Sequence, residues 1–218
     1  MSQKILEPQV SLSLSGNQDY KLYSISRASE LLNFTFLPEL RFLNWHVESR
    51  IRVLCEKAEK RGLISPLARW LGQLHKHSIS HPVLSPIAIR WINAYIGYGV
   101  FAKEPIPSWT YLGEYTGILR PRQAIWMDEN DYCFRYPLPL YTLRYFTIDS
   151  GSCGCFTRFI NHSDQPNCEA IAMFHEGIFR VIIRSIRPII AGEEICYHYG
   201  PLYWKHRKKR EEFTPLEG

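Results

Sequence analysis

The sequence predicts a mainly β protein of the α+β class, with several small, mostly antiparallel sheets preceded by a helical appendage. Three observations carry this. From Ile87 onward, short segments rich in β-branched and aromatic residues alternate with Gly and Pro: IAIRWI, TYLGEYTG, YFTID, EAIAMF, IFRVIIRSI and EICYHY. Short apolar runs bounded by turn formers read as strands. No helical pattern of about 10–15 residues recurs between them, which disfavours a doubly wound parallel sheet. Before Ile87 the periodicity is helical instead.

Residues 1 to about 35 lack clear periodicity and are expected to be an extended or weakly ordered lead-in. From Arg41 to Arg61 the apolar residues Val47, Ile51, Leu54 and Ala58 recur on one helical face, and Gly62 is placed to end that helix. Ser65-Pro66 reads as an N-cap followed by proline at the first helical position. Leu67, Trp70, Leu71 and Leu74 form a second apolar stripe, expected to pack against the rest of the protein. Three regions follow: a lead-in and helical appendage over 1–85, a β-rich core over 86–200, and a basic C-terminal segment over 201–218.

A chain of 218 residues with 45% hydrophobic content fits one large domain plus an appendage. No run approaches the ~18 apolar residues of a membrane helix, and the first residues lack the charged and apolar regions of a cleaved secretory signal. The six cysteines are sparse and irregular for a disulfide framework, so reduced thiols and an intracellular setting are expected. The net charge of +5 is uneven: residues 1–85 carry +4, residues 86–204 carry −1, and the tail containing KHRKKR holds the rest. A basic end can touch nucleic acid, but the near-neutral middle argues against a nucleic-acid platform.

Four motifs in the β-rich part carry chemistry. Gly97-Tyr98-Gly99-Val100-Phe101-Ala102 sets glycines at alternate positions, where backbone can approach a ligand closely. Gly113-Glu114-Tyr115-Thr116-Gly117 holds an aromatic between glycines. Arg158-Phe159-Ile160-Asn161-His162-Ser163, continued by Pro166-Asn167, puts directional donors and acceptors directly after an apolar pair. In Gly192-Glu193-Glu194-Ile195-Cys196-Tyr197-His198-Tyr199-Gly200, period 2 puts Tyr197 and Tyr199 on one face. Taken singly, each is explicable as a turn or a packed core tyrosine.

In this order and spacing, over roughly Ile87 to Gly200, the motifs resemble the signature of the SET-domain protein-lysine methyltransferases. The resemblance implies a β-clip fold with a threaded pseudoknot, in which the RFINHS segment and the last motif interlock. It implies S-adenosyl-L-methionine as cofactor, held by Gly97, Tyr98, Gly99, Arg158, Asn161, His162, Tyr199 and Trp204. Tyr199 would be the catalytic tyrosine, with Tyr115 and Tyr197 lining a lysine channel. Tyr197 stands where the family has Tyr or Phe, and the phenol implies mono- or dimethylation.

Three departures stand out. Asp164 occupies a position where many relatives have a zinc-ligand cysteine, and the tail GPLYWKHRKKREEF has no cysteine, so no metal is expected. Tyr203 and Trp204 are expected to cover the cofactor and channel in its place. Cys155 stands where many relatives have Asn, which puts cofactor affinity there in question. Without zinc modules the chain looks like compact bacterial SET proteins, some of which enter host cells to modify chromatin; a cytoplasmic location, or secretion without a cleaved signal to host chromatin, follows. Asp128, Glu129 and Asp131 suggest an acidic rim that favours a basic peptide such as a histone or histone-like tail. The alternatives are a catalytically idle SET module acting as a chromatin scaffold, and a methyltransferase for a non-histone protein. The apolar appendage could serve a homodimer.

Overall fold

A computed structural model describes residues 8–79, 86–122, 130–140 and 145–204 of the chain. In chain order the strands and helices are β1 (Gln9–Ser13), β2 (Lys21–Ser24), α1 (Ile25–Leu31), β3 (Thr35–Phe36), β4 (Arg41–Phe42), α2 (Trp45–Lys60), α3 (Pro66–Leu74) and α4 (Lys76–Ile79). These are followed by β5 (Ile87–Asn93), β6 (Gly97–Ala102), β7 (Tyr111–Glu114), β8 (Ile118–Pro121), β9 (Cys133–Arg135) and β10 (Phe146–Asp149). The last group is β11 (Cys153–Gly154), a 3-10 turn over Phe156–Phe159, β12 (Asn161–His162), β13 (Cys168–His175), β14 (Ile178–Ser185), β15 (Cys196–Tyr197) and α5 (Pro201–Trp204). All six segments expected to be strands contain one.

Four small sheets result, ordered β2-β1-β5-β6, β4-β8-β10-β9, β11-β3 and β12-β15-β13-β14-β7. The long ladders are antiparallel, as in β13–β14, where Cys168 to His175 pair with Ser185 to Ile178, and in β5–β6. The parallel pairings are short contacts between sequence-distant segments, such as β3 with β11 and β12 with β15.

Of the extended or weakly ordered lead-in expected at the N-terminus, the first alternative holds, and it is built into a sheet: β1 pairs in parallel with β5, and β2 pairs antiparallel with β1. Val10 and Leu12 are fully buried in the core beneath this sheet. Their period-2 spacing, continued by Leu14, is the strand signal that marks β1 in the sequence.

Helix α2 follows local rules closely. The Asn44 side chain accepts a hydrogen bond from Val47 N–H at 3.0 Å, and Gly62 leaves the helix with φ of 66°. Its buried face is Val47, Ile51, Cys55 and Ala58. Helix α3 starts as expected, with Ser65 Oγ accepting from Ala68 N–H at 3.1 Å. Its stripe does not pack as expected: Ala68, Leu71 and Gly72 face inward, whereas Leu67, Trp70 and Leu74 are exposed, Trp70 by 55%. The cause is proximity. A Cβ on Gly72 would collide with the Phe174 carbonyl of β13, so only the small-residue face fits against the strand.

Two hydrophobic cores meet at the future site. One holds Val10, Ile89, Val100, Phe156, Phe159, Ile160, Ile195 and Tyr197; the other holds Ile51, Cys55, Leu119, Ile148 and Tyr115. Phe134 packs against both.

Candidate active site

The third and fourth motifs interlock. Strand β15 lies between β12 and β13 and runs parallel to each, so that Tyr197 pairs with His162 on one side and Cys168 on the other. The loop 163–167 joins those two flanking strands and therefore crosses over β15. Parallel crossovers ordinarily take about a dozen residues or more. This short one is held by bonds to the strand it crosses: Ser163 N–H donates to Tyr197 O at 3.3 Å and Asn167 N–H to Cys196 O at 3.2 Å. The Asn167 side chain completes the closure. Its Nδ2 donates to Glu193 Oε1 at 2.9 Å and Glu194 O at 2.7 Å, and its Oδ1 accepts Cys196 N–H at 2.9 Å. The polar residues after the apolar Phe159-Ile160 pair thus satisfy backbone that the crossing hides from water.

Beside this lock lies an aromatic cluster contributed by four segments. Tyr115, at the end of β7, is buried, with its ring centroid 5.3 Å from that of Phe134. Phe134 lies 6.5 Å from Tyr197, and Tyr197 lies 4.9 Å from Tyr199. Tyr203 and Trp204 of α5 pack on Tyr199 at 4.5 and 6.5 Å, and the Trp204 ring also lies 4.8 Å from that of His162, tilted by 58°.

The phenol protons are committed. Tyr115 O–H donates to Tyr132 O at 2.7 Å, and Tyr199 O–H donates to Ile160 O at 2.8 Å. Burial is the main reason all three titrations of Tyr115, Tyr197 and Tyr199 are pushed well above the usual phenol range. At neutral pH the three side chains are phenols whose oxygens remain able to accept.

The residues expected to hold the cofactor gather on one side of this cluster. Asn161 Nδ2 donates to Tyr98 O at 3.2 Å and Glu194 Oε1 at 2.8 Å, tying the first glycine motif to the lock. Gly99 leaves room at this junction: a Cβ there would lie 2.8 Å from Glu194 Oε1 and 2.7 Å from Ile92 Cδ1, so those side-chain ends would have to move. Gly97 has φ of 81°, in the left-handed region. His162 lies 5.4 Å from the Tyr199 ring, and its Nδ1 accepts Tyr199 N–H at 3.2 Å. Arg158 is 7% exposed, with its guanidinium 3.7 Å from the Tyr132 ring centroid and bonded to Gly151 O at 2.8 Å. Among the described residues it has no carboxylate partner, its Nε is unsatisfied, and burial lowers its titration.

Cys155 faces elsewhere. Its thiol donates to Glu114 O at 2.8 Å and lies 2.9 Å from Thr157 Oγ1. Beneath Tyr115, Glu114 pairs with Arg180 at 3.1 Å, both side chains being almost fully buried. Burial pushes the Glu114 carboxyl up, to about 7, and Arg180 only partly offsets this.

Two residues escaped the sequence reading: Tyr132, whose carbonyl orients Tyr115, and Phe134, which bridges the two cores. Their signal was the alternation Tyr132, Phe134, Tyr136 beside an expected acidic rim. Of that rim, Asp131 is exposed, while Asp128 and Glu129 lie outside the described residues. Among the described residues, the group of potential metal donors that comes together is His162, Asp164 and His198, with ligand atoms within 4.8 Å of one another.

Residues 97–200 match the SET domain family. They form a SET domain. The chain is 33% identical over 130 residues to the histone-lysine N-methyltransferase ash1 of Drosophila melanogaster, covering 56% of this chain and 6% of that protein. It is 34% identical over 134 residues to the histone-lysine N-methyltransferase CLF of Arabidopsis thaliana, covering 56% of this chain and 15% of that protein. Among solved structures, KRYPTONITE in complex with mCHH DNA, H3(1-15) peptide and SAH is similar with a TM-score of 0.44 and 32% identity, over 52% of this chain and 23% of that one. The chain thus spans only a small part of the relatives it matches. The SET domain of this chain contains the four motifs, the interlocked strands and the aromatic cluster as far as Tyr199; α2, α3 and α5 lie outside it.

Proposed function

We propose that this chain is an S-adenosylmethionine-dependent protein-lysine N-methyltransferase that adds one or two methyl groups to a histone or histone-like protein. The observation that carries the reading is the cluster Tyr115–Phe134–Tyr197–Tyr199, in which the phenols of Tyr115 and Tyr199 have committed their protons to backbone carbonyls. The relatives named as histone-lysine methyltransferases support it.

The residues present fit the cofactor. Arg158 is a buried cation without an acidic partner among the described residues and with a spare donor at Nε, suited to a carboxylate. His162 and Trp204, with ring centroids 4.8 Å apart, offer aromatic faces for a nucleobase. When bound, S-adenosylmethionine supplies an electrophilic methyl group on a sulfonium.

The chain's own part is to exclude water and orient the amine. A free lysine amine titrates near ~10.4 and is protonated at neutral pH. An aromatic wall disfavours the ammonium, so the amine enters in its nucleophilic form. Because Tyr115, Tyr197 and Tyr199 stay neutral, they do not act as bases. Their phenol oxygens accept instead, holding the amine and making CH···O contacts of about 0.5–1 kcal/mol each with a polarised methyl. The Tyr197 phenol restricts room beside the amine, which limits the product to one or two methyl groups.

The test is incubation with labelled cofactor and core histones, followed by mass spectrometry of the modified lysine. Mono- and dimethyl-lysine are expected, with a shift towards trimethyl-lysine for Tyr197→Phe. Dominant trimethylation by the wild type contradicts the role of Tyr197. Cofactor binding without any transfer, to histones or to a whole-cell lysate, favours an idle scaffold.

A further inference from the structure

We infer that Asp164 and His198 are positioning residues for Tyr199, acting through two imidazoles that face one carboxylate; this rests on the methyl-transfer reading above. His162 Nε2 lies 3.2 Å from Asp164 Oδ1, and His198 Nε2 lies 3.8 Å from the same oxygen. The opposite nitrogen of each ring faces backbone. His162 Nδ1 accepts Tyr199 N–H at 3.2 Å, and His198 Nδ1 accepts Gly200 N–H at 2.9 Å. A ring nitrogen that accepts an N–H carries a lone pair, so in each neutral imidazole the proton sits on Nε2. Both Nε2 atoms thus lie near the Asp164 carboxylate, that of His162 at 3.2 Å and that of His198 at 3.8 Å, the latter too long for a hydrogen bond; the carboxylate's charge favours the proton on Nε2, the tautomer that grips the chain.

The grip falls on two consecutive amides where β15 ends. Gly200, with φ of 87°, turns the chain into α5, which carries Tyr203 and Trp204 onto Tyr199. At its other end Tyr199 is tied through its hydroxyl to Ile160 O. The catalytic phenol is thus fixed from both ends against the segment 160–164: His162 holds the amide end, and Asp164 faces the opposite nitrogen of that ring. Asp164 is 90% exposed, so its contacts contribute little to stability in water; their effect is on the placement of Tyr199.

The same three side chains invite a metal reading, which the wiring opposes. Coordination through Nε2 needs a lone pair there, which moves each ring proton to Nδ1, head-on against Tyr199 N–H and Gly200 N–H.

The test uses the full chain in three forms: wild type, Asp164→Ala and Asp164→Asn, with His198→Ala and the double variant as a cycle. For Asp164→Ala, kcat is expected to fall about 3- to 10-fold, while KM for cofactor and for peptide stays within about 2-fold. Asp164→Asn, which keeps an acceptor, should restore most of the rate, and the double variant should be no worse than Asp164→Ala alone. An unchanged kcat in Asp164→Ala, or a loss confined to KM, overturns the inference. Nitrogen-15 NMR of the imidazoles gives an independent reading: Nε2–H tautomers are expected for His162 and His198. Nδ1–H tautomers, or a stoichiometric metal in the purified protein, overturn it. A wild type that transfers no methyl group sinks the methyltransferase reading instead, and the tautomer measurement still decides the wiring.

Discussion

Helix α2 and the interlocked strands around β15 are held by opposite kinds of contact. In α2 the cap bond spans three residues, from Asn44 to Val47, and the surface pairs Glu48–Arg52 and Glu56–Lys60 span four. Around β15 almost every side-chain bond joins distant parts of the chain: Asn161 to Glu194, Asn167 to Cys196, and Tyr199 to Ile160. The helix is specified by its own residues and stabilised by one buried face. The lock exists only after β6, β12 and β15 have met, which makes it a late, cooperative structure. Local elements frame this protein; non-local bonds make its chemistry.

Substitutions on the two sides sharpen this contrast. Asn167→Ala should have the largest effect, about 3 kcal/mol or more, because it orphans Glu194 O and Cys196 N–H in a buried crossing. Denaturant unfolding measures it, and a loss under about 1 kcal/mol would mean that the crossing is not held by that side chain. Glu114→Gln probes the support under Tyr115. With the carboxyl raised from 4.5 to about 7, the folded state binds a proton that the unfolded chain has released, so Glu114 lowers stability as pH rises through that window. The wild-type unfolding midpoint should therefore decline relative to Glu114→Gln between those pH values; parallel profiles would contradict the raised carboxyl. Asn44→Ala should cost about 1 kcal/mol through the lost cap, with methyl transfer unaltered. Trp70→Ala should stay within about 0.5 kcal/mol, since the ring is exposed; a larger loss in thermal unfolding would return it to the core.

The same contrast explains what could be read from the sequence. The six strand segments from Ile87 onward, α2 with its stop at Gly62, and the Ser65 cap of α3 follow from spacing and cap chemistry. Tyr115, Tyr197, Tyr199, Asn161 and His162 were found because they sit in four ordered motifs, and the structure brings them together. Leu67, Trp70 and Leu74 misled because helical periodicity identifies an apolar stripe without saying which neighbour it faces. Gly72, small enough to meet the Phe174 carbonyl, turns the other face inward. Strand β1 was missed although Val10, Leu12 and Leu14 alternate, because its partner β5 lies far along the chain. Tyr132 and Phe134 carry no motif, and their roles depend on Arg158, Tyr115 and Tyr197 arriving from elsewhere.

One comparison tests the central claim most directly: wild type against Tyr199→Phe, with label transfer to core histones and S-adenosylmethionine affinity measured side by side. Removing the hydroxyl that Ile160 O anchors should reduce transfer about 100-fold or more while cofactor affinity changes only a few-fold. A Tyr199→Phe protein that methylates as fast as the wild type would contradict the assignment of the aromatic cluster as the methyl-transfer site.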